Sequence, residues 1–314
     1  MEKLIETQHL YKSYARHITS DADYVLRDIS LQIYKGESVG LVGESGCGKT
    51  TLGKCLLRLE SISKGEVFFH GEAITNLPSK KLLPYRQRMQ MVFQSSYDSF
   101  DPYYDVRQIL TEPLLHSAPD LRRHPEKLLA EVLEQVGLDE TYLSRHPNEL
   151  SGGQCQRIGI ARALITKPEF VVCDEAVSSL DYGVRNKILD LLRELKNTYA
   201  LTYLFISHDM SATKKVCDRV IVMYLGTIVE ITSNFEQESV RHPYTKALLA
   251  ATLRPDPHER KIPEIPLKKS EDFSAPLCGC VLQNRCPYAA ERCRMQKPEL
   301  RKYENGDYVA CHFA

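Results

Sequence analysis

Runs of apolar residues divide the chain into two strand-rich parts separated by a helical part. Residues 4–14 and 25–33 resemble the strands of an antiparallel sheet, and residues 38–42 form an uncharged run typical of a buried strand. Between residues 106 and 167, apolar positions recur at helical spacing without a strand-like interruption. The pattern predicts an α/β fold with an antiparallel β subdomain and an inserted helical subdomain at about residues 95–168.

Strands and helices alternate again after the helical part. Residues 169–175 and 201–206 are apolar runs typical of buried parallel strands, and a helical pattern over residues 184–199 lies between them. Residues 220–231 are typical of a closing hairpin. This order predicts a parallel sheet, which binds ligands outside the carboxyl ends of its strands.

Residues 43–50 fit the pattern G-x-x-x-x-G-K-[ST] at every position, between a predicted strand and a helix-compatible run. The glycines allow the backbone N–H groups to surround a phosphate, and the following helix adds its positive N-terminal end. Lys49 is expected to bridge the β- and γ-phosphates of ATP, and Thr50 to offer its hydroxyl to Mg²⁺. The sequence therefore predicts a P-loop NTPase core with these phosphate-binding residues: Gly43, Glu44, Ser45, Gly46, Cys47, Gly48, Lys49, Thr50 and Thr51.

Polar side chains directly follow three of the predicted strands. Asp174 and Glu175 end one of them, where Asp174 would support Mg²⁺ and Glu175 could orient and deprotonate the attacking water. His208 follows the next strand, and we expect it to contact the γ-phosphate. Gln94 follows an earlier strand and is expected at the same ligand-binding edge.

The segment Leu150-Ser151-Gly152-Gly153-Gln154 opens a long predicted helix. Ser151 and Gln154 satisfy a capping box, which explains these two residues by local structure alone. Two consecutive glycines cost about 1 kcal/mol each in a helix relative to alanine. They indicate a close approach of the backbone to a ligand or a partner.

The 314 residues include 41 basic and 41 acidic side chains, so the formal net charge is zero. This balance gives no overall field that would favour nucleic acid or an anionic membrane surface as a partner. No apolar run is long enough to span a bilayer, and the first residues lack the apolar core of a signal peptide. These features predict a soluble, cytosolic protein.

Ten cysteines are divided equally between residues 1–252 and residues 278–311. In a reducing compartment the scattered thiols are expected to be small buried residues, whereas a cluster in a short tail indicates a metal site. Five prolines among charged residues mark a linker over residues 253–277. The predicted organisation is a nucleotide-binding domain at 1–252, this linker, and a small Cys-rich C-terminal module at 278–314.

Together these motifs resemble the ATP-binding subunit of an ABC transporter, whose core is RecA-like. The resemblance names residues 43–50 as Walker A, Gln94 as the Q-loop, residues 150–154 as the signature and residues 171–175 as Walker B. It names Ser179-Leu180-Asp181 as the D-loop and His208 as the switch histidine. It also implies that Tyr14 stacks on adenine, with Tyr24 as the reserve candidate, although a lone strand-end tyrosine more often serves packing.

The same resemblance implies that two such domains close head to tail on ATP. Ser151, Gly152, Gly153 and Gln154 would then contact ATP held by the partner's Walker A, and Asp181 would lie at the same nucleotide. The resemblance also implies catalytic roles for Glu175, His208 and Gln94. The implied Mg²⁺ site consists of Thr50, Gln94 and Asp174.

The linker and tail resemble the oligopeptide/dipeptide importer ATPases, in particular the second of their two paired subunits. The likeness rests on residues 242–249 and on the tail cysteines with their neighbours, and it implies a [4Fe–4S] cluster on Cys280, Cys286, Cys293 and Cys311. Zinc suits four thiolates equally well, and the irregular spacing selects neither centre. Cys278 would then not be a ligand of the cluster.

Three positions depart from the family pattern. Cys155 follows the signature where a charged or amide residue is usual, Ala176 replaces the proline after Walker B, and Ser179 replaces alanine in the D-loop. None of these changes removes a predicted catalytic group. Cys155 and Ala176 could alter the rate or the geometry at the strand end.

The resemblance implies an ATP-hydrolysing subunit at the cytoplasmic face of the membrane, where it is a peripheral protein. Its implied partners are a second, non-identical ATPase, two transmembrane permease subunits and, through them, an extracytoplasmic substrate-binding protein. The transported substrate is a peptide, or alternatively nickel or a metal chelate. A soluble ABC ATPase of repair or translation is a further alternative, which the compact helical insertion and the single ATPase domain disfavour.

Overall fold

The computed structural model of the chain describes residues 2–18, 20, 23–116, 125–236, 238–251, 267 and 278–314. Apart from Leu267, the predicted linker at 253–277 lies outside the described residues, together with residue 252. The described helices are α1 Lys49–Leu56, α2 Ser79–Arg88, α3 Val106–Thr111, α4 Pro125–Gln135, α5 Gly152–Leu164, α6 Tyr182–Tyr199, α7 Met210–Val216, α8 Pro243–Ala251 and α9 Glu291–Met295.

Twelve strands in the described residues form one sheet of four strands and one of eight. The strands are β1 Lys3–Ser13, β2 Tyr24–Tyr34, β3 Ser38–Val42, β4 Lys64–Phe69, β5 Glu72–Ala73, β6 Met89–Val92, β7 Phe170–Asp174, β8 Thr202–Ser207, β9 Arg219–Tyr224, β10 Thr227–Thr232, β11 Arg301–Lys302 and β12 Tyr308–Val309. The smaller sheet, in the order β2-β1-β4-β5, is antiparallel, as predicted for the β subdomain.

The larger sheet has the order β11-β12-β10-β9-β3-β8-β7-β6, and its strands from β9 to β6 are parallel. Alternate residues of β7 face opposite sides of this sheet. Phe170 and Val172 pack in a core with the antiparallel sheet and α1, whereas Val171 and Cys173 pack with α5 and α6. Because both faces are covered, the central residues of the parallel strands are mostly apolar.

The helices of the insertion lie where the pattern predicts them, except that helix α3 is short. Helix α3 stops at Thr111 and continues as a 3₁₀ turn, Glu112–His116, because Pro113 has no N–H to donate to the helix. Helix α2 was not predicted, since its sequence is mostly polar and contains Pro84. The sequence offered no apolar periodicity there.

The tail after the predicted linker joins the main sheet. Strand β12 pairs antiparallel with β10, placing Val309 beside Glu230, and β11 pairs with β12 at the outer edge. The predicted hairpin of β9 and β10 is present and supplies the edge on which these strands add. The tail cysteines Cys280, Cys286 and Cys293 share a core with Tyr224 of β9.

Candidate nucleotide-binding and catalytic site

The phosphate loop connects the carboxyl end of β3 to the first turn of α1. Gly48 precedes α1 with a φ of 100°, a left-handed conformation that favours glycine. A Cβ atom on Gly43 would lie 2.2 Å from the carbonyl oxygen of Met223 in the neighbouring strand β9. The two glycines therefore allow the loop to turn sharply while it packs against the sheet.

Lys49 is buried, and its ammonium group is hydrogen-bonded to the backbone of the loop. Its Nζ donates to the carbonyl oxygens of Gly43 at 2.8 Å and of Glu44 at 2.9 Å. These contacts place the ammonium group inside the loop. The binding of phosphate by Lys49 stays a prediction.

Thr50 and Asp174 meet although 124 residues separate them in the sequence. The Thr50 hydroxyl donates to Asp174 Oδ1 at 2.9 Å, since Asp174 ends β7 at the edge where the phosphate loop follows β3. Burial raises the pKa of Asp174, while the Thr50 hydrogen bond opposes the rise. A hydroxyl and one carboxylate beside a phosphate loop fit Mg²⁺, which usually takes one or two carboxylates together with phosphate oxygens.

Glu175 is the residue after β7, and its backbone is left-handed, with a φ of 46°. Its N–H donates to the carbonyl oxygen of Ile206 in β8 at 2.9 Å, and its Oε2 lies 3.3 Å from His208 Nδ1. The Glu175 side chain is 20% exposed and that of His208 is 59% exposed. The pair thus lies at the open edge of the sheet, where water can reach the carboxylate.

Gln94 is exposed two residues beyond β6. Within the described part of the chain it makes no hydrogen bond to Thr50 or Asp174. The structure therefore brings together four of the predicted catalytic and metal-binding residues, Thr50, Asp174, Glu175 and His208. The part of Gln94 in binding Mg²⁺ stays a prediction.

The two candidates for base stacking have different surroundings. The Tyr14 ring is 56% exposed, and the buried Lys12 places its Nζ 4.5 Å from the ring centroid. Tyr24 is only 3% exposed and packs edge-on against Tyr11 at 5.1 Å. Tyr24 is therefore a packing residue, and Tyr14 keeps a free face for a base.

The signature segment forms the N-terminus of α5. Ser151 caps the helix, and Gln154 completes the predicted capping box while its Nε2 donates to the Tyr142 hydroxyl at 2.9 Å. A Cβ atom on Gly153 would lie 2.5 Å from Cγ1 of Val184 in α6 of the same chain. Packing within the chain thus explains Gly153, which the sequence indicated only as a contact with a ligand or partner.

The remaining signature residues Ser151 and Gly152 are exposed. Asp181 of the D-loop is also exposed, and it caps α6 by accepting a hydrogen bond from the Val184 N–H. These residues form a surface on which a second chain could bind ATP. Their contact with ATP across a dimer stays a prediction.

The four predicted cysteine ligands line one cavity of about 500 Å³, together with His242 and His312. Burial raises the pKa of Cys280 to about 11, and the neighbouring thiols of Cys293, Cys286 and Cys311 add to the rise. Cys278 is exposed and points its sulfur at the Arg294 carbonyl oxygen instead. In the described ranges, however, no three His, Cys, Asp or Glu side chains gather closely enough to hold a metal ion.

Sequence reasoning missed contacts that hold the phosphate loop from outside. The N–H of Glu44 donates to the Tyr244 hydroxyl at 2.8 Å, and the Glu44 carboxylate accepts from Arg285 at 2.8 and 3.0 Å. Both partners lie 200 or more residues from Glu44. No local pattern could have identified them, because they depend on how the tail packs on β9 and β10.

The fold and the site define an ATP-binding cassette, a P-loop ATPase with a helical insertion. The sequence profile of the family described as ABC transporter matches residues 26–178. A second profile, described as the C-terminal region of oligopeptide/dipeptide transporters, matches residues 232–293. The chain belongs to the ATP-binding proteins of this transporter family, and it is an ATPase of the ABC type.

Curated relatives match nearly the whole chain. The putative oligopeptide transport ATP-binding protein YkfD of Bacillus subtilis is 44% identical over 90% of this chain and 88% of its own. The oligopeptide transport ATP-binding protein OppF of Haemophilus influenzae is 39% identical over 99% of this chain and 97% of its own. The similarity therefore includes the tail.

Solved structures resemble the cassette. A dimeric ATP-binding cassette in a post-hydrolysis state, bound to ADP and Pi, aligns with a TM-score of 0.64 at 26% identity, over 73% of this chain and 98% of that chain. A dimeric bacterial ABC transporter cassette aligns with a TM-score of 0.63 at 28% identity, over 72% and 96% of the two chains. Among the described residues, no helix has the length and apolar character needed to cross a membrane.

Proposed function

We propose that this chain hydrolyses ATP to energise the import of oligopeptides or dipeptides through separate membrane subunits. The contacts Thr50–Asp174 and Glu175–His208 beside Lys49 carry the ATPase part of the proposal. The peptide part is supported by the match of residues 232–293 to the transporter C-terminal region and by the names of the relatives. We place the protein at the cytoplasmic face of the membrane as a peripheral subunit.

Each residue of the site has a distinct part in the proposed reaction. Lys49 and the loop N–H groups bind the phosphates, and Thr50 and Asp174 hold Mg²⁺, which neutralises charge on the phosphate oxygens when bound. Glu175 accepts a proton from the attacking water, and His208 orients that carboxylate and contacts the γ-phosphate. The reaction gives ADP and phosphate.

The proposed active form is a head-to-tail dimer with a homologous, non-identical ATPase. The exposed Ser151 and Gly152 support this form, because they lie on the surface of the chain rather than in its own phosphate loop. The two similar solved structures, which are both of the cassette MJ0796, are described as dimeric. A monomer with full ATPase activity, measured by kinetics and light scattering on one sample, would exclude the proposal.

The substrate can be tested by reconstitution. The chain should be assembled in liposomes with the candidate partner ATPase, two permease subunits and the substrate-binding protein. We expect peptides to stimulate ATP hydrolysis and to accumulate inside, whereas nickel or a metal chelate should do neither. Stimulation by nickel or a chelate alone would assign the alternative substrate, and ATPase activity unaffected by any membrane subunit would favour a soluble, non-transport ABC ATPase.

For the tail we propose that Cys280, Cys286, Cys293 and Cys311 bind one [4Fe–4S] cluster. The four thiols supply a suitable donor set around one cavity, although they are not gathered at ligand spacing. Anaerobically purified protein should contain about four iron and four sulfide per chain. Cys286→Ser should lose both and still bind ATP, whereas the control Cys278→Ser should lose neither.

One zinc ion in colourless protein would assign the tail to zinc instead. Protein purified anaerobically with neither metal would exclude both centres.

A further inference from the structure

Arg285 of the tail is bonded to the phosphate loop. Its Nη1 lies 2.8 and 3.0 Å from the two carboxylate oxygens of Glu44, the second residue of the loop. The Arg285 side chain is 16% exposed and that of Glu44 is 38% exposed, so water partly screens this ion pair.

Two tyrosines extend this contact to the backbone of the loop. Arg285 donates to the Tyr224 hydroxyl at 3.3 Å, and the Tyr224 ring lies 4.7 Å from the ring of Tyr244. Tyr244 in turn accepts the N–H of Glu44 at 2.8 Å. Both tyrosines are buried, so Glu44 is held through its side chain and its backbone by a rigid set of neighbours.

Glu44 also connects this set to the phosphate lysine. Its carbonyl oxygen accepts a hydrogen bond from Lys49 Nζ at 2.9 Å. A displacement of Glu44 would therefore move an acceptor that positions the ammonium group of Lys49. The contacts run without a gap from Arg285 through Glu44 to Lys49.

The charge of Glu44 has its own effect on nucleotide binding. A carboxylate in a loop that binds a polyanion repels the phosphates unless a cation offsets it. Arg285 provides that cation at hydrogen-bonding distance. Loss of Arg285 would leave the negative charge beside the phosphates and would release the Glu44 side chain.

The tail has contacts with the sheet besides the ion pair. Strand β12 pairs with β10, and Cys280, Leu282 and Cys293 pack in a core with Val42 and Tyr224. Arg285 is therefore one of several contacts between the tail and the rest of the chain. A function in the phosphate loop is therefore the better explanation of an arginine placed there.

We propose that Arg285 is a positioning residue for nucleotide binding: it fixes Glu44 and offsets its charge, so that the phosphate loop accepts ATP. The tail thereby forms part of the outer support of the nucleotide site. Arg285 itself need not touch ATP.

The test measures ATP affinity of the purified full chain by titration calorimetry with Mg²⁺-ATP. Arg285→Ala should weaken binding by about fivefold to tenfold, as expected for a charge-assisted pair that is partly screened. Arg285→Lys should lose less, because lysine keeps the charge without the fixed geometry. The control Arg292→Ala removes an exposed arginine of the tail that bonds Gln296, the residue after its helix α9, and it should leave affinity unchanged.

A double variant separates positioning from a general structural effect. Glu44→Gln removes the repelling charge, so Arg285→Ala combined with Glu44→Gln should bind ATP within about twofold of the Glu44→Gln variant. In the assembled transporter, Arg285→Ala should raise the KM for ATP more than it lowers kcat. Thermal unfolding of each variant checks that the tail stays docked.

Several outcomes would overturn the proposal. The first is an ATP affinity of Arg285→Ala within twofold of that of the unmodified chain. The second is an ATP affinity of Arg285→Lys as low as that of Arg285→Ala. The third is an ATP affinity of the double variant as low as that of Arg285→Ala. If Arg285→Ala fails to fold, Arg285→Gln, which removes the charge and keeps most of the side chain, replaces it in each of these comparisons.

Discussion

The two surfaces that we predict to contact ATP differ in how many of their contacts are already formed. At the sheet edge, Thr50 bonds Asp174 and Glu175 lies beside His208, so the catalytic side chains already contact one another. At the N-terminus of α5, Ser151 and Gly152 are exposed, while Ser151 and Gln154 cap the helix and Gly153 packs against Val184 of α6. The side chains of the first surface contact one another within one chain, whereas the second surface is an exposed helix end.

This difference follows from the elements that carry each surface. Parallel strands β7, β8 and β3 are joined by hydrogen bonds in fixed register, so the residues after them must be neighbours. Helix α5 belongs to an insertion whose ends return to the core through loops. The strand register therefore brings the predicted catalytic side chains together within one chain.

The largest effect should come from the sheet edge, with Glu175→Gln. The change keeps the side-chain volume but removes the proton acceptor, so hydrolysis should fall by about a hundredfold or more. ATP affinity should stay within a few fold, because Lys49, Thr50 and Asp174 are intact. Steady-state ATPase assays and ATP titration separate the two quantities, and an active Glu175→Gln protein would refute the assignment of the base.

Lys49→Ala should weaken ATP binding itself, by about tenfold or more, because it removes a buried cation from the phosphate loop. The exposed Lys127 of α4 provides the matched control, since its alanine variant should bind ATP normally. Equal affinities of the two variants would show that the loop does not bind the phosphates through this lysine.

On the second surface, Gly153→Ala should lower the free energy of unfolding by about 1–3 kcal/mol through overpacking. The clash lies within the chain, so adding Val184→Ala should restore most of the loss. Thermal or denaturant unfolding of the isolated chain provides the measurement. Full stability of the Gly153→Ala variant would mean that the glycine serves only the contact with a partner.

The smallest effect is expected at the predicted base contact. Tyr14→Ala should weaken ATP binding by about fivefold, which is the lower range for loss of base stacking. Tyr24→Ala should instead destabilise the fold, since that ring is buried against Tyr11. If Tyr14→Ala binds ATP and GTP as the unmodified chain does, the stacking prediction is wrong.

The sequence alone determined the features that depend on local chemistry. The glycines, Lys49 and Thr50 define a phosphate loop wherever a strand precedes them and a helix follows. Apolar runs ending in Asp174, Glu175 and His208 predicted side chains at one sheet edge, because strands of a parallel sheet share that edge. Even the capping box of Ser151 and Gln154 followed from spacing within one turn of helix.

Only the tertiary structure decided which distant residues support that loop and which face of each element is occupied. Arg285 and Tyr244 meet Glu44 across 241 and 200 residues, and β12 adds to β10 at the edge of the main sheet. The clash that requires Gly153 comes from a valine on another helix. Such contacts depend on the packing of whole elements, whose relative placement no local pattern records.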